Sequence, residues 1–277
     1  MKQKTWIFMD KVQAELHIVA WAGPVPSLKK WFREGIDVHS NVAQTIAKTI
    51  QDNKLKMPNE LFTGKHWSLY GKGDEERELS KRTVHTNNYD MGVNKYALVM
   101  QLPLEIARML QNVYHATFPE IRGNYHAWIN GMLSKNRTIV TPYGRRRIFY
   151  DVAGPELSRS AYAFYPQSTV GDEITIIFNQ VRELFSKGLM ETDDLDIRKQ
   201  LWTPSGIKAS GMVVRLQVHD ALGVCVDNDP VAIRETAMEM KRIAEKVIMI
   251  KGEGLVIPVD FKVGPSWGDS IDYKIAA

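Results

Sequence analysis

Two aspartates, Asp10 and Asp220, each end a short apolar run, Trp6-Ile7-Phe8-Met9 in one case and the segment from Met212 to Val218 in the other. Brief, β-prone runs of this kind read as buried strands. An acid at a strand tip serves as a turn or cap residue, or as an oxygen donor for a hard cation such as Mg²⁺, which favours carboxylates and shares substrate phosphates. The two acids lie far apart along the chain, so spacing alone does not join them. A second constellation is Lys81, His85 and Tyr89. On a helix, residues at i, i+4 and i+8 form one stripe. At 1.5 Å per residue it spans roughly 12 Å, the reach of an extended nucleoside triphosphate. The same pattern also fits a solvated face that ends in a packed tyrosine.

The elements that must position these residues follow from pattern and punctuation. Gln13 to Trp21 and Leu28 to Phe32 read as helical pieces split by Gly23-Pro24-Val25-Pro26, a breaker. Val38 to Ile50 has helical spacing with Ser40 as N-cap, and Asp74 to Tyr89 reads as a long charged helix. Asn59 to Gly73 is loop-like. Thr138 to Tyr150 reads as a hairpin turning at Pro142-Tyr143-Gly144. Further on come an amphipathic helix over Glu173 to Leu189 and two strands over Met212 to Val226 around His219-Asp220-Ala221. A helix over Pro230 to Ile250 and a strand over Leu255 to Val263 complete the chain. Strands mixed with long helices in no regular βαβ rhythm predict an α+β fold.

Composition narrows the class. The 277 residues are 44% hydrophobic and 25% charged, which is ordinary for a globular chain. A net charge of +4 neither requires nor excludes nucleic acid. Cys225 is the only cysteine, so an intramolecular disulfide and a Cys-x-x-Cys zinc site are excluded and a reducing cytoplasm is expected. No apolar run approaches membrane-spanning length, and no secretory leader is expected at the start.

Asp10-Lys11-Val12-Gln13-Ala14-Glu15-Leu16 resembles the first signature of family A DNA polymerases, the group of bacterial DNA polymerase I and related phage replicases: Asp-Tyr-Ser-Gln-Ile-Glu-Leu-Arg. Gln217-Val218-His219-Asp220-Ala221-Leu222 resembles the third, Gln-Val-His-Asp-Glu-Leu, at every position but Ala221. The segment Lys81 to Tyr89 resembles the second, Arg-x-x-x-Lys-x-x-x-Phe/Tyr-Gly, with Lys81 for Arg, His85 for Lys and Asp90 for Gly. Thr141-Pro142-Tyr143-Gly144-Arg145-Arg146-Arg147 resembles the family's Thr-x-x-Gly-Arg-Arg-Arg hairpin, and Arg159 to Thr169 its Arg-x-Ala-x-Asn-x-Pro-x-Gln-Gly-Thr, with Ala163 where Asn is usual. The tail Ile257 to Trp267 resembles the family's last strand, so the likeness runs from about Trp6 to Trp267.

The resemblance implies a palm with an antiparallel sheet and mainly helical fingers, with the thumb absent. Residues 1–17 and 156–277 would form the palm and 18–155 the fingers. It implies a DNA-directed DNA polymerase in which Asp10 and Asp220 are the catalytic residues and metal ligands for two Mg²⁺ ions. Glu15, His39, Lys81, His85 and Tyr89 would bind the deoxynucleoside triphosphate. In that set Glu15 blocks a ribose 2′-OH, and Tyr89 favours acceptance of dideoxynucleotides. Arg145, Arg146, Arg147, Arg159, Gln167, Gln217 and His219 would contact primer-template DNA. Because Asp10 lies close to Met1, the resemblance also leads to the expectation of a second polypeptide supplying the thumb and an exonuclease-like domain. The alternative from another class is a non-catalytic nucleic-acid-binding remnant of a polymerase, to which the changes at Lys81, His85 and Asp90 point. Intact Asp10, Glu15 and Asp220 argue against it. A histidine carries only part of a charge near neutrality, so nucleotide incorporation is expected to vary between pH 6 and 8 more than in a His85→Lys variant. Identical flat profiles for the two proteins would contradict this.

Overall fold

The computed structural model describes residues 4–190 and 213–275. The chain divides into two compact units, Met1–Ala14 with Ser168–Ala277, and Glu15–Gln167. The first unit is built on a five-stranded sheet in the order β4-β5-β1-β8-β9, every pairing antiparallel. Its strands are β1 (Lys4–Lys11), β4 (Val213–Val218), β5 (Ala221–Asp227), β8 (Val259–Gly264) and β9 (Ile271–Tyr273). Met212, where the third-signature strand was expected to begin, lies outside the described residues.

Strand periodicity sorts β1 into two faces. Ile7 and Met9 are fully buried. They join Leu222, Val224 and Val226 of β5 and Val259 and Phe261 of β8 in one apolar layer. Two helices cover that layer. α9 (Pro230–Ala244) contributes Ile233, Ala237, Met240 and Ile243, and the C-terminal part of α8 (Pro155–Met190) contributes Ile174, Ile177 and Val181. Trp6, Phe8 and Asp10 point the other way. Trp6 stacks on Phe8 at 5.5 Å, Trp267 meets Phe8 edge-on at 4.7 Å, and Asp10 is exposed beyond them. A small hairpin, β6 (Ile248–Ile250) with β7 (Glu253–Leu255), follows α9. The expected helix to Ile250 therefore stops at Ala244, where Glu245 is the cap and the chain turns into β6.

The second unit is mainly helical: α1 (Ala14–Ala22), α2 (Pro26–Arg33), α3 (Val38–Asp52), α4 (Glu75–Asn88), α5 (Val93–Met100), α6 (Leu104–Thr117), a π-helical turn over Ile121–His126, α7 (Ala127–Asn136) and the start of α8. Pro26 opens α2, where a missing N–H costs nothing. α3 is capped by Asp37, whose carboxylate accepts from His39 N–H at 3.2 Å. The expected cap Ser40 instead donates its hydroxyl to Asp37 at 2.6 Å. The hairpin of β2 (Thr138–Val140) and β3 (Arg146–Ile148) forms as the turn chemistry predicts, with Gly144 at φ 83.

Three buried tyrosines of this unit find partners for their hydroxyls, as most buried polar atoms do, while the Tyr70 hydroxyl is buried without one. Tyr96 meets Thr83 Oγ1 at 2.6 Å, Tyr114 donates to Asn88 Oδ1 at 2.5 Å and Tyr125 to the Tyr162 carbonyl at 2.6 Å. Gly23 marks the tightest approach. A Cβ there would lie 2.3 Å from Tyr125 Cβ and 2.6 Å from its Cα. Gly23→Ala is therefore expected to cost about 2–3 kcal/mol by overpacking against backbone. Gly131→Ala, in open space on α7, is expected to stabilise by roughly 0.5 kcal/mol through helix propensity. Thermal melts of the two variants check the contrast, and equal shifts would contradict it.

Candidate functional site

In the first unit the strand register brings the two signature aspartates to neighbouring positions. Asp10 pairs with Ala221 across β1–β5, so it sits one residue from Asp220. The Lys11 amide donates to the Asp220 carbonyl at 3.3 Å, which ties the two strand ends together directly. Asp220 occupies the turn between β4 and β5, closed by the Val218–Ala221 pair. Its neighbour His219 takes φ 51, a left-handed conformation that costs a non-glycine residue roughly 1 kcal/mol or more. A register shift between Val214 and Leu216 precedes this turn, and bulges of that kind re-aim the residues that follow. Gln217 and His219 are exposed.

Sequence reasoning missed Asp260, which the β1–β8 pairing sets directly opposite Asp10. Side chains of such a pair share one face of the sheet. The alternation Val259, Asp260, Phe261 carried the signal for its outward direction, but nothing in the sequence fixed the register.

In the second unit, Glu15, His85 and Tyr89 come together. The Tyr89 hydroxyl donates to the Glu15 carboxylate, and His85 Nδ1 lies 3.6 Å from Glu15 Oε2. The His85 and Tyr89 rings meet edge-on at 5.0 Å. Burial, with the Glu15 charge added, pushes the Tyr89 hydroxyl well above its ordinary range, so it remains a donor. Lys81 and His85 are exposed on α4, as the helical stripe predicts. His39, in the first turn of α3, feels both electrostatically but is buried, with Nδ1 lacking a partner. Burial holds its pKa down to about 4 against the pull of Asp37. Asp37 is itself anchored. Burial alone would raise it, but bonds from Arg77 and Ser40 outweigh that and hold its carboxyl below the usual range.

The end of α4 that presents Tyr89 is clamped from several sides. His126 Nε2 bonds the Asn88 carbonyl at 2.7 Å, Gln111 donates to the Met91 carbonyl at 2.7 Å and Arg122 pairs with Asp90 at 2.9 Å. Asp90, where the family signature has glycine, takes φ 53. Arg159 Nε donates to the Asp90 carbonyl at 3.1 Å and its guanidinium also pairs with Glu156. A residue expected at the DNA thus has bonds to this clamp. Arg145, Arg146 and Arg147 are exposed around the hairpin turn, with Arg147 lying 4.5 Å over the Phe149 ring. Gln167 is exposed on α8.

The model of DNA polymerase family A matches residues 1–269. The chain belongs to this family. Among its relatives, DNA polymerase I of Deinococcus radiodurans is 25% identical over 274 residues, covering 96% of this chain and 24% of that protein. The thermostable DNA polymerase I of Thermus filiformis is 25% identical over 276 residues, covering 95% of this chain and 27% of the relative. A solved structure, described as the POL domain of Pol1 from M. smegmatis in complex with DNA primer-template and dNTP, superposes with a TM-score of 0.66 at 20% identity. It covers 95% of this chain and 40% of that one. This family A chain therefore spans about a quarter of the length of those two relatives. Its mixture of helices with an antiparallel sheet is the α+β fold expected from the signatures. No helix among the described residues is long and apolar enough to cross a membrane.

The buried histidines set a pH dependence. Burial holds His39 and His115 each to about 4 and lowers His126 as well. In the unfolded chain a histidine takes its proton near pH 6.5. Between about pH 6.5 and 4 the unfolded state therefore binds more protons, and stability falls as pH falls through that window. The melting temperature is expected to drop from pH 6.5 to 4, and less steeply in His115→Gln. A melting temperature that rises on acidification would contradict the assignment.

Proposed function

We propose that this chain carries the catalytic portion of a DNA-directed DNA polymerase, adding deoxynucleotides to a primer 3′ end under the direction of a template. The single observation that carries the reading is the β1–β5 register, which sets Asp10 beside the Asp220 turn within a chain that belongs to the polymerase family. Residues 1–17 and 156–277 serve as palm and 18–155 as fingers. Asp10 and Asp220 hold two divalent cations, for which the donor set fits. Both are hard carboxylates on adjoining strand ends, and Mg²⁺ prefers such oxygens. No group of three His, Cys, Asp or Glu among the described residues is arranged to hold an ion by itself. When bound there, such ions would supply charge neutralisation at the attacking and leaving oxygens.

The remaining residues bind and orient. Lys81 and His85, one turn apart on α4, meet the triphosphate, with His39 behind them as a neutral group. Glu15 stands against the sugar as a barrier to a 2′-OH. Its carboxylate is braced by the Tyr89 hydroxyl, and a braced wall excludes better than a mobile side chain. Arg145, Arg146 and Arg147 supply positive charge for phosphates, which dominate affinity for DNA and make it salt-dependent. Gln167 reads minor-groove acceptors, which are shared by correct base pairs. Arg159 acts both at the DNA and in the clamp that holds Tyr89. Gln217 and His219 lie toward the primer terminus.

Primer extension with Mg²⁺ tests the reading. Asp10→Ala and Asp220→Ala are each expected to lower the single-nucleotide incorporation rate by about a thousandfold or more, with melting temperatures close to that of the parent. Incorporation at the parent rate by either variant would overturn the proposal. Glu15→Ala is expected to raise ribonucleotide use relative to deoxynucleotide use.

A further inference from the structure

Lys11 follows Asp10 on β1 and continues the inward face of Ile7 and Met9, yet it is a lysine and only 2% exposed. Its ammonium pairs with Glu173 of α8 and donates to the Ala244 carbonyl at 2.7 Å, at the C-terminal end of α9. Glu173 is also buried, at 4% exposure, and its second oxygen, Oε2, has no hydrogen-bond partner. Burial pushes the lysine down and the glutamate up, each opposed by the other's charge. A buried ion pair of this kind is weak support for stability, because desolvation offsets much of the attraction. An apolar pair would serve a layer of Ile, Leu and Val at least as well.

The backbone gives the pair its significance. The amide of the same Lys11 donates to the Asp220 carbonyl, and the next amide, Val12, donates to the Pro258 carbonyl at 2.9 Å. One residue thus joins the end of β1 to the Asp220 turn through its main chain. Through its side chain it joins that end to both covering helices. We infer that Lys11, with Glu173 as its counter-ion, is a positioning residue that fixes the spacing of the Asp10 and Asp220 carboxylates and so sets the affinity of the cation site. This rests on the reading of Asp10 and Asp220 as cation ligands. It adds that the supporting charge comes from beneath the sheet, on the face away from the substrate. The buried pair is retained for geometry, and outer partners that orient ligands commonly govern metal affinity by ten- to a hundredfold.

The test compares Mn²⁺ binding, followed by the electron paramagnetic resonance of the free ion, in the full chain and its variants. Lys11→Met combined with Glu173→Met removes both charges together, so the melting temperature is expected to stay near the parent or rise. Mn²⁺ affinity is nevertheless expected to fall about tenfold, and the Mg²⁺ concentration for half-maximal incorporation to rise in step. Glu173→Gln keeps the size of the side chain and serves if the double variant does not fold. It is expected to weaken Mn²⁺ binding severalfold. Parent-like Mn²⁺ affinity in the double variant overturns the inference, as does parent-like affinity in Glu173→Gln if only that variant folds. Asp10→Ala separates the two readings: if it binds Mn²⁺ as the parent does, the cation site itself is misassigned, whatever Lys11 does.

Discussion

The register of β1 between β5 and β8 is the constraint on which the rest depends. Side chains alternate strictly across a strand, so a slip of one residue would turn every side chain to the opposite face. In the observed register Ile7 and Met9 fill the apolar layer, while Asp10 emerges beside the Asp220 turn and opposite Asp260. Burial of the inner residues is non-directional in itself. The direction comes from the hydrogen-bond ladder and from the ends of the strand, where Lys4 pairs with Asp227 at 2.5 Å and Lys11 reaches Glu173. A charged residue thus marks each end of the inserted strand. On the outer face the same register sets Asp10 and Asp260 directly opposite one another, where cross-strand side chains are neighbours.

The second unit solves a different problem, the presentation of a short polar cluster from the end of a helix. A helix end leaves carbonyls without partners. Here the Asn88 and Asp90 carbonyls accept from His126 and Arg159, and the Met91 carbonyl just beyond accepts from Gln111. The groups that would otherwise fray α4 are therefore the ones through which neighbouring residues hold it. Tyr89 inherits a fixed place from this clamp and transmits it to Glu15. In this chain an aspartate stands where the family signature has glycine, and its left-handed backbone is held by the Arg122 ion pair and by Arg159.

Much of this was legible in the sequence, and what was not has identifiable causes. Short apolar runs and turn chemistry reveal β1, the β2–β3 hairpin and the β4–β5 turn, because those signals are local. The stripe of Lys81, His85 and Tyr89 was visible because α4 runs unbroken through all three. α8 begins at Pro155, well before the expected Glu173, and it continues through Pro166. A proline inside a helix is a strong local breaking signal, and tertiary packing overrode it here. The strand expected over Leu255 to Val263 is broken, because Leu255 ends β7 and β8 begins only at Val259; β9 lies beyond the expected end, and the pattern to Ile250 covers a helix end and a hairpin strand. The Lys11–Glu173 pair left a trace in each element. Lys11 continues a buried face, and Glu173 interrupts the stripe of Val170, Ile174, Ile177 and Val181. Only the fold could show that the two exceptions answer each other.

The central claim is that Asp10 and Asp220 jointly surround bound cations. Affinity cleavage tests it most directly. Fe²⁺ is exchanged for Mg²⁺ in the presence of primer-template DNA and a deoxynucleoside triphosphate, ascorbate and peroxide are added, and the backbone cuts are mapped. The structure predicts cuts clustered around residues 10 and 220, with weaker cutting near residue 260, all suppressed by excess Mg²⁺ and lost together in Asp220→Ala. Cuts at only one of the two aspartates, or a pattern unchanged in that variant, would contradict it.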